Sequence, residues 1–113
     1  MTKRKIVAVI TAITADRVVV TSDVLTHIIE EHFRGIPQEI ILETVERVLK
    51  DPSDLFKDDL NIKKEYDFFY RLESGEYLVA VVKVIPAGAF LASLYPTGKN
   101  PRNKHKKLKR VKL

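Results

Sequence analysis

Three histidines, a Ser-Leu-Tyr triplet and two isolated cations in strand-like sequence are the side chains of this 113-residue chain that are equipped for chemistry. His27 and His32 stand five apart, with Glu30 and Glu31 between them. At about 100° per residue they diverge by roughly 140° around a helix axis, so they are not the i, i+4 pair of an HExxH metal site. His27-Ile28-Ile29-Glu30-Glu31-His32 is also one residue too long for the inverted form of that motif. A zinc peptidase is excluded. Proton transfer is the remaining use: histidine is the only side chain whose ordinary pKa lies near neutrality, and it suits removal of a proton from a ribose hydroxyl. The plainer role for either residue, bonded to a carbonyl or lying on the surface beside Glu31, is the commoner one. His105 stands among lysines and reads as a phosphate contact.

Ser93 and Tyr95 are two apart, so in a strand they share one face about 7 Å apart, and a hydroxyl beside a phenol can hold and polarise a phosphate. The ordinary alternative is a strand-end serine and a tyrosine at the margin of the core. Lys83 interrupts an otherwise apolar run, where a charge is costly unless it reaches solvent or an anion. Arg71 is a comparable cation on the preceding strand. Tyr66, Phe68, Phe69, Tyr70 and Tyr77 have the surfaces on which bases stack, although aromatic strands more often form core.

The elements that must position these groups follow from periodicity. Residues 6–13 and 17–20 are rich in β-branched side chains and predict a short hairpin or paired edge strands. Thr21 and Ser22 offer cap chemistry for a helix over 24–33, which Gly35 ends. Pro37 suits the first turn of a second helix that buries Ile40, Ile41, Thr44, Val45, Val48 and Leu49 and stops at Asp51-Pro52-Ser53-Asp54. Residues 55–65 read as a polar loop anchored by Leu55 and Phe56. Strands are predicted over 66–72, 77–85 and 89–95, with Gly75 in the first intervening turn and the middle strand covered on both faces. The fold class is therefore α+β, two helices against an antiparallel sheet of about four strands.

Charge divides the chain. From Lys99 onward there are eight basic residues and no acid, so against a net +5 the first 98 residues carry −3. The organisation expected is one domain over 1–98 and a basic tail over 99–113. Lys99, Arg102, Lys104, His105, Lys106, Lys107, Lys109 and Arg110 are the candidate nucleic-acid contacts, since a cationic segment gains affinity by releasing counterions from a polyanion. The tail lacks the bulky apolar face of an interfacial helix, and no run approaches the roughly 20 apolar residues that span a bilayer. With no cysteine there is neither a disulfide framework nor a thiolate metal site. A cytoplasmic protein without a membrane segment is expected.

The order of these features resembles a family. Thr26-His27-Ile28, then His32, then a helix ending in Leu49-Lys50-Asp51-Pro52, then strands, then Ser93-Leu94-Tyr95 is similar to the phage-associated nucleases of the barnase–EndoU–colicin–RelE superfamily, over about 19–95. The resemblance implies helices on a four-stranded antiparallel sheet and metal-independent RNA cleavage. It matches His27 and His32 to the helix histidines and Ser93 and Tyr95 to the terminal-strand motif. Ser93 replaces the more usual threonine, and Glu31 stands where a basic residue is common.

These readings give a leading expectation: a small, toxin-like ribonuclease that needs no metal or cofactor because the attacking oxygen belongs to the substrate. His27 is the expected general base or acid and His32 its partner or a phosphate contact. Lys83 or Arg71 stabilises the phosphorane charge, and Ser93 and Tyr95 orient the phosphate. RNA is the expected partner, and the tail raises its local concentration without choosing sequence. Two rival readings are a nonenzymatic nucleic-acid-binding module and a protein-interaction subunit, such as a toxin whose acidic antitoxin covers the tail.

Overall fold

A computed structural model describes residues 5–58, 64–98 and 109–113. The β-branched runs form the predicted hairpin, β1 (Ile6–Thr11) paired antiparallel with β2 (Arg17–Thr21). Its turn is tight: the Ala12 N–H donates to the Asp16 carbonyl at 2.9 Å, and the Thr14 hydroxyl donates to the Asp16 carboxylate at 2.7 Å. Ala15 adopts φ +72°, a left-handed conformation that an L side chain rarely enters.

Helix α1 (Ser22–His32) follows β2 without a loop. Thr21 is its N-cap but makes no side-chain capping bond, so the expected hydroxyl cap is not formed; the Ser22 N–H instead donates to the Lys5 carbonyl at 2.8 Å. Leu25 and Ile28 are fully buried and fix the helix to the core. The chain reverses through Gly35 at φ +82°, and Pro37 caps α2 (Gln38–Lys50) with extended backbone. Ile41, Val45, Val48 and Leu49 make the buried face of α2, whereas Ile40, expected inside, is 49% exposed.

The sheet is larger than expected and mixed. Its strands β3 (Asp54–Asp58), β4 (Lys64–Arg71), β5 (Tyr77–Ile85), β6 (Gly88–Thr97) and the two-residue β7 (Lys109–Arg110) join the hairpin in the order β1-β2-β6-β5-β4-β3-β7. Six strands and a short seventh thus replace the expected four. Every pairing is antiparallel except β2 with β6, which is parallel; the two helices and three strands between them in the chain supply the long crossover that a parallel pair needs. The predicted polar loop begins as β3: Leu55 and Phe56 are buried as expected, and register against Phe68 and Asp67 makes their segment a strand. Gly75 turns β4 into β5 at φ +89°.

Both helices cover one face. Leu78, Ala80 and Val82 of β5 and Leu91 and Leu94 of β6 meet Leu25, Ile28, Val45 and Val48 in the main core. By alternation, Val79 and Val81 point to the opposite face, where Phe56, Phe69, Val79, Tyr77 and Tyr95 form a smaller cluster.

The chain's end belongs to the domain. β7 pairs with β3, the Val111 N–H donates to the Leu55 carbonyl at 2.8 Å, and the Arg110 guanidinium meets the Asp54 carboxylate at 2.9 Å. Lys99, Arg102, Lys104, His105, Lys106 and Lys107 lie outside the described residues. Among the described residues no helix is long and apolar enough to cross a membrane.

Candidate functional site

His32 occupies the last turn of α1, on the stripe that Leu25 and Ile28 turn toward the sheet. Angular position explains this: at about 100° per residue, His32 falls between those two apolar residues in projection, one or two turns further along. Because α1 lies against β6, the exposed His32 ring reaches Tyr95, with ring centroids 6.0 Å apart and planes inclined by 44°. Phe33, the C-cap residue, packs edge-on to the same imidazole at 6.3 Å. Tyr95 is half-buried, held from the other side by the Phe69–Val79 cluster.

Ser93 lies on the same face as Tyr95 and is also half-buried. An irregularity in β5–β6 pairing inserts one extra residue beside Val81 and Val82: Ser93 pairs with Val81, whereas Leu91 pairs with Val82. Ser93 and Tyr95 share a face by plain alternation, and the bulge at Ala92 is what lets Leu91 and Leu94, three apart, both remain in the core. Sequence spacing alone, counted back from Leu94, supplies no sign of that insertion.

His27 is placed differently. It is exposed, roughly 140° around the helix from His32. Asp23 and Glu31 lie four residues to either side and Glu30 three beyond, all on neighbouring surface of the same helix. Three carboxylates around an imidazole form an unfavourable setting for a phosphate. The expected pairing of His27 with His32 at one site is therefore not what α1 presents.

The two cations are separated from each other. Both are exposed and, by alternation, on the face of Ser93 and Tyr95. Arg71 pairs with Tyr77, and Lys83 lies six residues further along β5, a separation of about 20 Å that no single phosphate spans. Arg71 lies two strands and one two-residue step from Tyr95, about 12 Å between Cα atoms; Lys83 lies one strand and two residues from Ser93, about 8 Å. In register Lys83 faces Glu65.

The aromatic residues divide the same way. Phe68 and Phe69 are fully buried and unavailable to bases, and Tyr66 and Tyr70 pack against the main core. A groove lined by Ile40, Thr44, Val48, Tyr70, Leu72 and Leu78 opens between α2 and β4–β5 on the helix side, away from Ser93. His32 and Tyr95 form an open margin. Among the described residues no cluster of three or more His, Asp or Glu side chains is arranged to hold a metal ion. Compared with family models, curated proteins and solved structures, the chain has no match.

Proposed function

We propose that this protein is a small ribonuclease of the kind its motif order resembles, cleaving RNA by attack of a 2′-hydroxyl on the adjacent phosphorus, with His32 and Tyr95 as its reactive pair. The contact between the His32 imidazole and the Tyr95 ring carries this reading, because it joins the end of the first helix to the last long strand at an exposed margin. His32 removes the 2′-hydroxyl proton, O2′ bonds to phosphorus, and the bond to O5′ breaks. The departing O5′ takes the Tyr95 phenolic proton, and the imidazolium returns a proton to the phenolate, so both groups regain their starting states. The products are a 2′,3′-cyclic phosphate and a 5′-hydroxyl end. Ser93 donates to a non-bridging oxygen, and Arg71 or Lys83, not both, balances the added charge. His27 takes no part. The basic stretch from Lys99 to Lys107 supplies non-specific affinity for the RNA backbone.

The direct test incubates the full chain with a mixed-sequence RNA oligonucleotide in EDTA and characterises the new ends. Products ending in 2′,3′-cyclic phosphate, with cleavage abolished at a 2′-deoxy substitution, are expected. Intact RNA, or binding without turnover, refutes the enzymatic reading, and the second result selects the binding-module alternative.

A further inference from the structure

The two edges of the sheet are built differently. At one edge β7 is only two residues long and carries the exposed Arg110, a short and charged end of the kind that resists further pairing. At the other edge stands β1, Ile6-Val7-Ala8-Val9-Ile10-Thr11, six residues with no charge and no proline. Among the described residues it pairs only with β2, leaving its outer backbone groups turned outward. Ile6 and Val9 are 60% and 47% exposed, and Ile13 just beyond is 49% exposed. The irregularity between Ile6 and Ala8 protects the start of this strand but not its run from Ala8 to Thr11.

We propose that β1 is a homodimer interface, pairing antiparallel with β1 of a second copy so that two sheets become one. A second copy fits for two reasons. An uncharged, β-branched strand meets itself across a two-fold axis without opposing like charges, which is the requirement for a self-complementary interface. The flank of α2 beside this edge also carries both signs: Leu42, Glu43, Glu46 and Lys50 line a groove with Ala8, Val9, Ile10 and Thr11, and the Lys50 ammonium meets the Glu46 carboxylate at 3.0 Å at the groove's far end from Glu43. A two-fold axis at β1 sets the two α2 flanks antiparallel, so the Glu43 end of one copy meets the Lys50 end of the other. Val9, Val19 and Phe90 stand side by side in register on the opposite face, extending the apolar surface inward from the edge.

The experiment measures molar mass by sedimentation equilibrium up to about 100 µM for the full chain and for Val9→Lys, Val9→Glu and Val9→Thr, a range that resolves micromolar dimers. The parent and Val9→Thr dimerise. Each charged variant weakens dimerisation at least about tenfold while its melting temperature, extrapolated to monomer, stays near that of the parent, since Val9 is half-exposed. An equimolar mixture of Val9→Lys and Val9→Glu recovers the dimer, which a merely misfolded variant cannot do. A parent chain that is monomeric at every concentration overturns the proposal, as does a Val9→Lys variant that dimerises as tightly as the parent. A monomer that instead acquires mass only with an added foreign peptide strand also overturns it, in favour of strand capture.

Discussion

Ile28 and Ile40 are the same side chain on the two helices, one with none of its surface exposed and the other with 49%. Truncating each to alanine isolates burial from chemistry. Ile28→Ala removes packing that α1 shares with only one other fully buried side chain, Leu25, and leaves a cavity, with an expected cost of about 3 kcal/mol. Ile40→Ala opens no cavity and gains slightly in helix propensity, so its expected effect lies within about 0.5 kcal/mol. For a chain of this length an unfolding entropy of about 2.1 cal/mol/K per residue converts 1 kcal/mol to roughly 4 °C. Ile28→Ala is therefore expected to lower Tm by about 12 °C and Ile40→Ala to move it by no more than about 2 °C in calorimetric melts. Because Ile28 holds the helix that carries His32, RNA cleavage by Ile28→Ala should also fall at temperatures where the protein is still folded. Equal shifts for the two variants would refute the assignment of α1 to the core.

Three further expectations concern the turn, the chain end and the final strand. Ala15→Gly relieves a left-handed alanine at an exposed hairpin turn, and is expected to raise Tm by about 2–4 °C, net of the added freedom of the unfolded glycine; a lower Tm contradicts the turn geometry. A double-mutant cycle on Asp54→Asn and Arg110→Ala is expected to give a coupling of at most about 1 kcal/mol that shrinks in salt, since Arg110 is half-exposed; a larger, salt-independent value contradicts an exposed pair. Tyr95→Phe keeps the ring contact with His32 and removes only the hydroxyl, so RNA cleavage should fall by about a hundredfold with Tm changed by less than about 3 °C; an unchanged rate assigns the leaving-group proton to another donor.

Much of the fold is legible where local chemistry and tertiary context agree. The β-branched hairpin, the apolar stripe of α2, the glycine turn at Gly75 and the continuous apolar run of β5 each have a local cause visible in the residues. The strands without a local signature depend on partners remote in sequence. β3 looks polar because Asp54, Lys57 and Asp58 flank its two buried residues, and only its register with β4 makes it a strand. β7 is two basic residues whose order comes from β3 and from Asp54. The parallel contact of β2 with β6 has no local signature at all.

The candidate site divides in the same way. His32, Ser93 and Tyr95 are singled out by residue type, and alternation brings the last two together. The meeting of His32 with Tyr95 depends on how α1 lies along β6, which spacing within α1 cannot reveal. Conversely, the five-residue separation by itself turns His27 and His32 different ways, and the acidic neighbours of His27 stand in the sequence at i−4, i+3 and i+4.

The comparison of His32→Ala with His27→Ala in single-turnover RNA cleavage, at matched folded fractions, bears most directly on the assignment of the reactive pair. His32→Ala is expected to lose at least about a hundredfold in rate, while His27→Ala stays within about threefold of the parent. A parental rate for His32→Ala, or a collapse confined to His27→Ala, would contradict it.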